Sequence, residues 1–443
     1  MDRSNRTNRR GFLAGGATAA AAAWAAPAPA VAQDKGKSPG DKLNVAVIGV
    51  AGRGDAQLSA AAEENVVALC DVDARSLAAA ARRFPKAKTF SDFRKMLDAV
   101  HGQIDAVTVS TADHTHAPAA AMAMRLGKHC YCEKPLAHSV YEARTLAQIA
   151  RQNKLATQMG TQIHAEGNYR RVVELVEAGA IGRIVEVHVW LGANFNGPPV
   201  PKDMSQPDAP KDRPPVPATL DWDLWLGPAA YRPYHPAYAP FRWRYWWAFG
   251  NGALGDFFCH YCDLPFWALK LRHPTAVEAQ GPVHPESAAR WTIARLDFPS
   301  RGALPPLMLT WYHGGGYPAW AKERNVPAWS SAVLFVGGDG MLIADYGRHE
   351  LLPQAKFAGY QRPPRTIPDS IGHHREWIVA CKTGSPTTCN FDYSGALAEA
   401  ALLSNVALRT GKKLEWDAVA LKATNCPEAG RYLRHEYRAG WTL

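Results

Sequence analysis

No block of five consecutive Lys or Arg residues occurs in the chain, and this lack removes the usual footprint of nucleic-acid binding. The formal net charge of +10, from 50 Lys and Arg against 40 Asp and Glu, is scattered as on an ordinary solvated surface. Beyond the N-terminal segment no run reaches eighteen consecutive apolar residues, so no membrane-spanning helix is expected there. Collagen-like repetition and the low hydrophobicity of a disordered chain are also absent, since 47% of residues are hydrophobic and 20% charged. At roughly 150 residues per domain, 443 residues suggest two or three domains. What is abundant is aromatic: 15 Trp, 15 Tyr and 14 Phe, with a concentration of Trp between residues 222 and 247.

Residues 1–32 read as an export signal. Arg3, Arg6, Arg9 and Arg10 precede a weakly apolar Ala/Gly run, and Ala30-Val31-Ala32 supplies small residues for cleavage before Gln33. Asn8-Arg9-Arg10-Gly11-Phe12-Leu13 resembles the twin-arginine signal. The expectation is a periplasmic protein, exported already folded by the twin-arginine translocase. The run is too short and too Ala-rich for stable membrane insertion. Residues 33–41 read as a polar linker.

From residue 42 the chain alternates strand and helix. Asn44-Val45-Ala46-Val47-Ile48 reads as a buried parallel strand. It runs into Gly49-Val50-Ala51-Gly52-Arg53-Gly54, and Asp55 to Glu63 read as helix. Small residues there let a backbone approach a pyrophosphate, whose charge faces the helix N-terminus. Ala51 stands where G-x-G-x-x-G has its second glycine, so the pattern alone leaves a purely structural turn open. The second strand, 65–70, ends at Asp71, about twenty residues past the glycines, where a carboxylate hydrogen-bonds the adenosine ribose. Such a carboxylate repels a 2′-phosphate. NAD is therefore the expected cofactor and NADP the second option, with Arg53 and Arg75 softening the preference. A helix over 74–84, a short strand 88–90 and a strand 106–110 continue the alternation of a doubly wound sheet.

After that strand come Thr111-Ala112-Asp113-His114-Thr115-His116, a helix from Ala117 to Leu126, and Cys132-Glu133-Lys134-Pro135. With the glycine turn and the acidic end of the second strand, this T-x-x-x-x-H loop and E-K-P motif resemble the glucose–fructose oxidoreductase / inositol dehydrogenase / rhizopine-catabolism family (Gfo/Idh/MocA), from about residue 42 to the C-terminus. The resemblance implies a Rossmann dinucleotide-binding domain over 42–160. It also implies a C-terminal α/β domain over 161–443 with a large, mostly antiparallel open sheet. Helices near 373–410 are expected to pack back on the first domain. Lys134 is placed beside the nicotinamide and the substrate, with Glu133 orienting it. Gly49, Ala51, Gly52, Arg53, Gly54, Asp71, Thr111, His116, Glu133, Lys134 and Gln162 form the expected cofactor site.

Asn251 to Asp263 resembles the family's G-G-x-x-x-D-x-x-x-H segment. On one continuous helix Asp256, His260 and Asp263 share a face, so Asp256 is expected to hold the tautomer of His260. The resemblance makes Lys134, Asp256 and His260 the catalytic group, and Trp243 and Arg244 part of the substrate pocket with Asp256 and His260. It implies no metal, and it implies a homodimer or homotetramer through the outer face of the second sheet. Aromatic faces with nearby polar groups suit a sugar, although core packing serves any single Trp equally well.

Helix 168–178 and strand 184–190 open the second domain, and the Pro-rich stretch 197–217 reads as an extended loop. Strands within 290–312 and 332–345 and helices at 373–383 and 393–410 follow. Eight cysteines in an exported chain raise the question of disulfides, with Cys381 and Cys389 the candidate pair. A zinc site from Cys130, Cys132, Cys259 and Cys262 is set against buried free thiols, and free thiols are preferred. The leading activity is an NAD(P)-dependent oxidoreductase acting on a secondary hydroxyl of a carbohydrate, polyol or glycoside. Because the periplasm holds little free NAD, a tightly held cofactor is expected. The alternative is an NAD-dependent, redox-neutral glycoside hydrolase working through a transient keto-sugar, its extra base drawn from His116, Tyr245 or Tyr261. A non-catalytic sugar-binding protein, which predicts no NAD binding, is the third reading.

Overall fold

The computed structural model describes residues 41–192 and 207–443. The export signal, nearly all of the linker and part of the Pro-rich stretch lie outside the described residues. Strands β1 (Asn44–Ile48), β2 (Asn65–Cys70), β3 (Lys88–Phe90), β4 (Ala106–Val109), β5 (His129–Cys132) and β6 (Thr157–Met159) form one parallel sheet, in the order β3-β2-β1-β4-β5-β6. Helices α1 (Arg53–Ala60), α2 (Ala74–Arg83), α3 (Phe93–Val100), α4 (Asp113–Arg125) and α5 (Val140–Gln152) connect them. The central strands are apolar nearly throughout because helices cover both of their faces. Polar side chains set the helix starts: Asp73 caps α2, Asp92 caps α3, and Ser139 with Glu142 forms a reciprocal capping box on α5. The strand order reverses between β1 and β4, which opens a crevice at their C-terminal ends.

Helix α4 begins at Asp113, four residues before the expected start, so the T-x-x-x-x-H stretch is mostly helical. The helical stagger therefore sends Asp113, His114 and His116 to three different surroundings.

Helices α6 (Gly167–Glu177), α7 (Trp222–Leu226), α8 (Gly252–Tyr261), α9 (Asp263–Ala268), α10 (His373–Thr383), α11 (Phe391–Thr410) and α12 (Gly430–Leu433) belong to the rest of the chain. Its strands are β7 (Ile184–Trp190), β8 (Ala276–Gln280), β9 (Thr292–Phe298), β10 (Leu307–His313), β11 (Ala332–Gly337), β12 (Met341–Ala344), β13 (His349–Leu352), β14 (Leu414–Asp417) and β15 (Lys422–Ala423). They form a second sheet in the order β13-β12-β11-β7-β10-β9-β8-β14-β15. Its pairs are antiparallel except β7 with β10. Helix α11 is apolar nearly all round and correspondingly buried. A buried Arg144–Glu399 ion pair of 2.8 Å ties it to α5. On α10, Trp377 packs edge-on to Tyr131 of β5, and Lys382 reaches Glu64 at 2.6 Å. Among the described residues no helix is long and apolar enough to cross a membrane.

Most of the aromatic segment packs on itself. Trp222 stacks on Trp225 at 4.7 Å, and Tyr238, Trp243, Trp246 and Phe249 complete an apolar cluster. Indole N–H groups of Trp222 and Trp246 donate to the carbonyls of Arg232 and Ala237, so the rings are held rather than left free to stack on a ligand. All eight cysteines are free thiols, as preferred, and the candidate Cys381–Cys389 bridge is not formed.

Candidate active site

The glycine turn after β1 is shaped by close backbone approach. A Cβ on Gly49 (φ +80°) would lie 2.6 Å from the Ser110 carbonyl oxygen, and one on Gly54 would lie 2.0 Å from the carbonyl of Gly49. Side chains at either position would push β4 and α1 away from β1. Gly52 (φ +59°) differs, for a Cβ there would meet nothing within 4 Å. It leaves open space at the start of α1, whose first turn has no side-chain cap. Uncapped helix amides beside an open backbone surface are what an anionic diphosphate requires, so the turn fits the dinucleotide. Ala51 stays exposed, and its methyl crowds no strand.

Asp71, at the end of β2, has a second task that its spacing did not reveal. Its Oδ2 accepts from the Val50 amide and its Oδ1 from the Asp73 amide, both at 2.9 Å. The carboxylate therefore shapes the glycine turn itself, and burial raises its pKa despite these bonds.

Glu133 is the hub of the E-K-P turn, but not as expected. It does not bond Lys134. Its Oε1 accepts from Arg53 (3.0 Å), Gln162 (3.0 Å) and Gln57, while Gln162 also donates to the Tyr131 hydroxyl at 2.8 Å. Its Oε2 is buried with no partner among the described residues. Gly160 makes the room, since a Cβ there would lie 2.4 Å from Oε2. Gln57 was missed by the sequence reading, although its place one helical turn after Arg53 was a usable signal. Arg53, Glu133 and Gln162 thus join the glycine turn to the strand end that carries Lys134.

Lys134 is oriented instead by Asp256. Its ammonium donates to the Asp256 backbone carbonyl at 2.8 Å and to the Asp256 carboxylate. Two of its three N–H donors are thereby used, and the third is available to a substrate oxygen. Arg244 reaches the same carboxylate at 3.3 Å while stacking on Trp243 and Phe241. Trp243 therefore backs Arg244, and it is Arg244 that enters the site. Burial pushes the Asp256 carboxyl up, but Lys134 and Arg244 outweigh it and hold the group below its ordinary range.

His260 follows Asp256 by one turn of α8, yet the expected Asp256–His260 hydrogen bond is not made. The Nδ1 of His260 is buried without a partner among the described residues. Burial and the Lys134 charge lower its pKa to about 3, against a smaller opposing effect of Asp256. The ring is neutral at physiological pH, with an uncommitted nitrogen lone pair beside an ammonium. Asp263 does not extend this face. Helix α8 stops at Tyr261, and Asp263 starts α9, bonding His164 at 2.9 Å and the Tyr393 hydroxyl at 2.7 Å.

Asp113, to which the sequence motif gives no role, belongs here. It is fully buried at the start of α4, where burial raises its pKa to about 8 against the fields of Arg244 and Lys134. His116 faces away, spanning the Pro135 carbonyl at 2.9 Å and the Thr111 carbonyl at 3.1 Å. It fastens the Thr111 turn to the E-K-P turn, which makes its part in the cofactor site indirect. A neutral ring can donate to one of these carbonyls only, and since both nitrogens face carbonyl oxygens it is also a poor candidate for a substrate base. Burial raises the hydroxyls of Tyr245, to about 12, and Tyr261, which weakens those two candidates as well.

These buried histidines predict acid sensitivity. Burial lowers His114 and His116 to about 4 and His373 to about 3, from an ordinary 6.5. Between those values the unfolded chain binds more protons, so stability is lost as pH falls from 6.5 toward 4. Asp113, raised to about 8 from 3.8, acts with the opposite sign, for it costs stability as pH rises through that window. The histidines outnumber it. The denaturant midpoint, followed by Trp fluorescence, should fall steadily between pH 6.5 and 4.5, and a flat profile would contradict their neutral burial.

Comparison with known proteins agrees with this geometry. Residues 43–161 match the oxidoreductase family's NAD-binding Rossmann fold, and residues 166–299 match its C-terminal alpha/beta domain, together more than half of the chain. Inositol 2-dehydrogenase of Salmonella typhimurium is 26% identical over 140 residues, 31% of this chain and 40% of that protein. Levoglucosan dehydrogenase of Pseudarthrobacter phenanthrenivorans is 28% identical over 193 residues, 42% of this chain and 38% of that protein. The matched stretch thus spans about 40% of the length of these curated relatives. Among solved structures, GenD2 from gentamicin A biosynthesis, in complex with NAD, superposes with a TM-score of 0.57 at 19% identity, covering 87% of this chain and 99% of that one. Aldose-aldose oxidoreductase of Caulobacter crescentus gives 0.56 at 15% identity, covering 85% of this chain and all of that one (100%). At such identities these two establish a shared fold. The parallel sheet with its glycine turn, the mixed second sheet and both domain matches place the chain in the Gfo/Idh/MocA oxidoreductase family.

Proposed function

We propose that this chain is a periplasmic, NAD-dependent oxidoreductase that oxidises a secondary hydroxyl of a sugar, polyol or glycoside. The observation that carries the reading is the meeting of Lys134, Asp256 and Arg244 from three elements, next to a neutral His260 with an unbonded ring nitrogen. The names of the relatives, an inositol and a levoglucosan dehydrogenase, support the substrate class. When bound, NAD supplies the two-electron acceptor for the carbinol hydrogen. Lys134, fixed by Asp256, directs its remaining N–H at the substrate oxygen and stabilises negative charge as it develops there. His260 accepts the hydroxyl proton. In the resting site the Lys134 charge makes His260 a weak base. A developing alkoxide beside Lys134 cancels that field, so His260 gains basicity as the C–H bond breaks. Asp256 and Arg244 keep the group rigid and limit water access.

The glycine turn, with Asp71 at the ribose, is the proposed NAD site. Asp71→Ala removes both the turn contacts and the ribose acceptor. NAD affinity should fall roughly 10- to 100-fold, as for loss of a charged hydrogen bond, and NADP affinity by less. Equal losses in fluorescence titrations would confine Asp71 to shaping the turn.

Export in the folded state is compatible with a cofactor loaded before the protein reaches the periplasm, where free NAD is scarce. The experiment is an absorbance spectrum and acid-extract assay of protein purified natively from the periplasm, followed by incubation with inositol or levoglucosan. About one equivalent of NAD per chain and net accumulation of NADH are expected. An empty protein would remove the captive cofactor, and glycoside cleavage without NADH accumulation would replace oxidation by redox-neutral hydrolysis.

A further inference from the structure

A cavity of about 320 Å³ is walled by the starts of α4 and α5, the end of α11 and the C-terminal tail. Lys134, Glu133, Asp256 and His260 do not line it. That volume suits a ligand of monosaccharide size.

Its polar equipment is incomplete in two matching ways. The guanidinium of Arg409 lies over the rings of Trp247 at 4.9 Å and Tyr432 at 4.1 Å. No carboxylate pairs with it among the described residues. Aromatic contacts hold a guanidinium through its faces and leave its N–H edge free, the geometry that takes a carboxylate in two parallel hydrogen bonds. The neighbouring Arg232 is already neutralised by Glu286 at 3.0 Å. Arg431 and the Glu436 carboxylate, opposite in charge, also line the space. Of the two guanidiniums without an ion pair among the described residues, only Arg409 is held over two rings, so Arg409 is the group that a ligand carboxylate matches.

The second gap is an acceptor. His138 Nε2 lies 3.4 Å from the Gly250 carbonyl, which can only accept, so Nε2 carries the proton and Nδ1 carries the lone pair. His435 Nδ1 lies 3.1 Å from that lone pair and must donate to it. His435 Nε2 is then a bare acceptor with no protein donor among its contacts, in a residue that lines the cavity. Glu142 cannot serve as the ligand's partner, because its oxygens accept from the His138 amide (2.8 Å), the Ser139 amide (2.9 Å) and the Tyr437 hydroxyl (2.5 Å).

We propose that this cavity is a second ligand site for a hydroxylated monocarboxylate the size of one sugar ring, its carboxylate on the edge of Arg409 and a hydroxyl donating to His435 Nε2. The site is separate from the catalytic group and does not depend on the proposed reaction.

The test is calorimetric titration of the full-length protein with D-glucuronate, alongside D-glucose and D-glucose 6-phosphate. Glucuronate should bind once per chain. Arg409→Met should weaken it roughly 10- to 100-fold, as expected for loss of a charged hydrogen-bonding partner, with the thermal midpoint retained. His435→Phe, which keeps the guanidinium, should also weaken glucuronate binding, and this variant decides the matter if Arg409→Met does not fold. Lys134→Ala should leave glucuronate affinity unchanged. The proposal is overturned if glucuronate does not bind, if glucose binds as well, if the phosphate binds more tightly, or if Lys134→Ala rather than Arg409→Met abolishes binding.

Discussion

Lys134→Ala is expected to lower kcat roughly 10²–10⁴-fold, the range for removal of one positioned group acting on the transition state. NAD affinity should stay within a few-fold, because the cofactor's proposed contacts come from the glycine turn and Asp71 rather than from the ammonium. Loss of the cation also leaves the Asp256 carboxylate with Arg244 as its sole charged partner among the bonds described. Thermal stability should therefore drop modestly, and turnover must be compared on protein confirmed as folded. Steady-state kinetics with inositol or levoglucosan, beside a fluorescence titration of NADH, reads the two effects separately. Unchanged kcat would remove Lys134 from the chemistry, while parallel loss of turnover and NADH binding would make it a cofactor ligand only.

His260→Ala carries the second large effect, again roughly 10²–10⁴-fold in kcat if proton removal passes through the ring. The truncation leaves a space of imidazole size at the end of α8, and the Tyr169 hydroxyl still holds the residue 260 carbonyl at 3.2 Å. Added imidazole should restore part of the activity, which a purely structural role would not permit. Because burial and Lys134 hold the ring at about 3, the unmodified enzyme should show no acid limb from this residue near pH 6.5. A limb at 6.5 that disappears in His260→Ala would mean that the ring titrates as a solvated histidine. The neutral, desolvated site described above would then be wrong.

The exchange of partners around these residues shows where sequence reasoning stops. Spacing by i and i+4 correctly places Asp256 and His260 one turn apart on α8, but spacing names neighbours along one helix only. The group that claims Asp256 is Lys134, 122 residues away in the chain. A carboxylate near an ammonium and a guanidinium gains more from them than from a neutral ring, so Asp256 goes to Lys134 and Arg244. For the same reason Glu133 turns to Arg53 and its two amide neighbours. The face drawn through Asp263 failed because α8 ends at Tyr261 and Asp263, which starts α9, bonds His164 and Tyr393 instead.

By itself the sequence determined what depends on a few neighbouring residues. That includes β1, β2 and β3 at their observed bounds, the glycine turn, the acidic end of β2, the E-K-P turn and the succession of strand and helix that makes the first sheet parallel. Tertiary structure alone decided which charge meets which. It turned Asp71 onto the glycine turn and His116 onto two carbonyls. It buried Asp113 and left Arg409 stacked over aromatic rings without a counter-ion among the described residues. The physical reason is that secondary structure follows local periodicity and backbone sterics, whereas ion pairing and desolvation depend on how distant segments pack together.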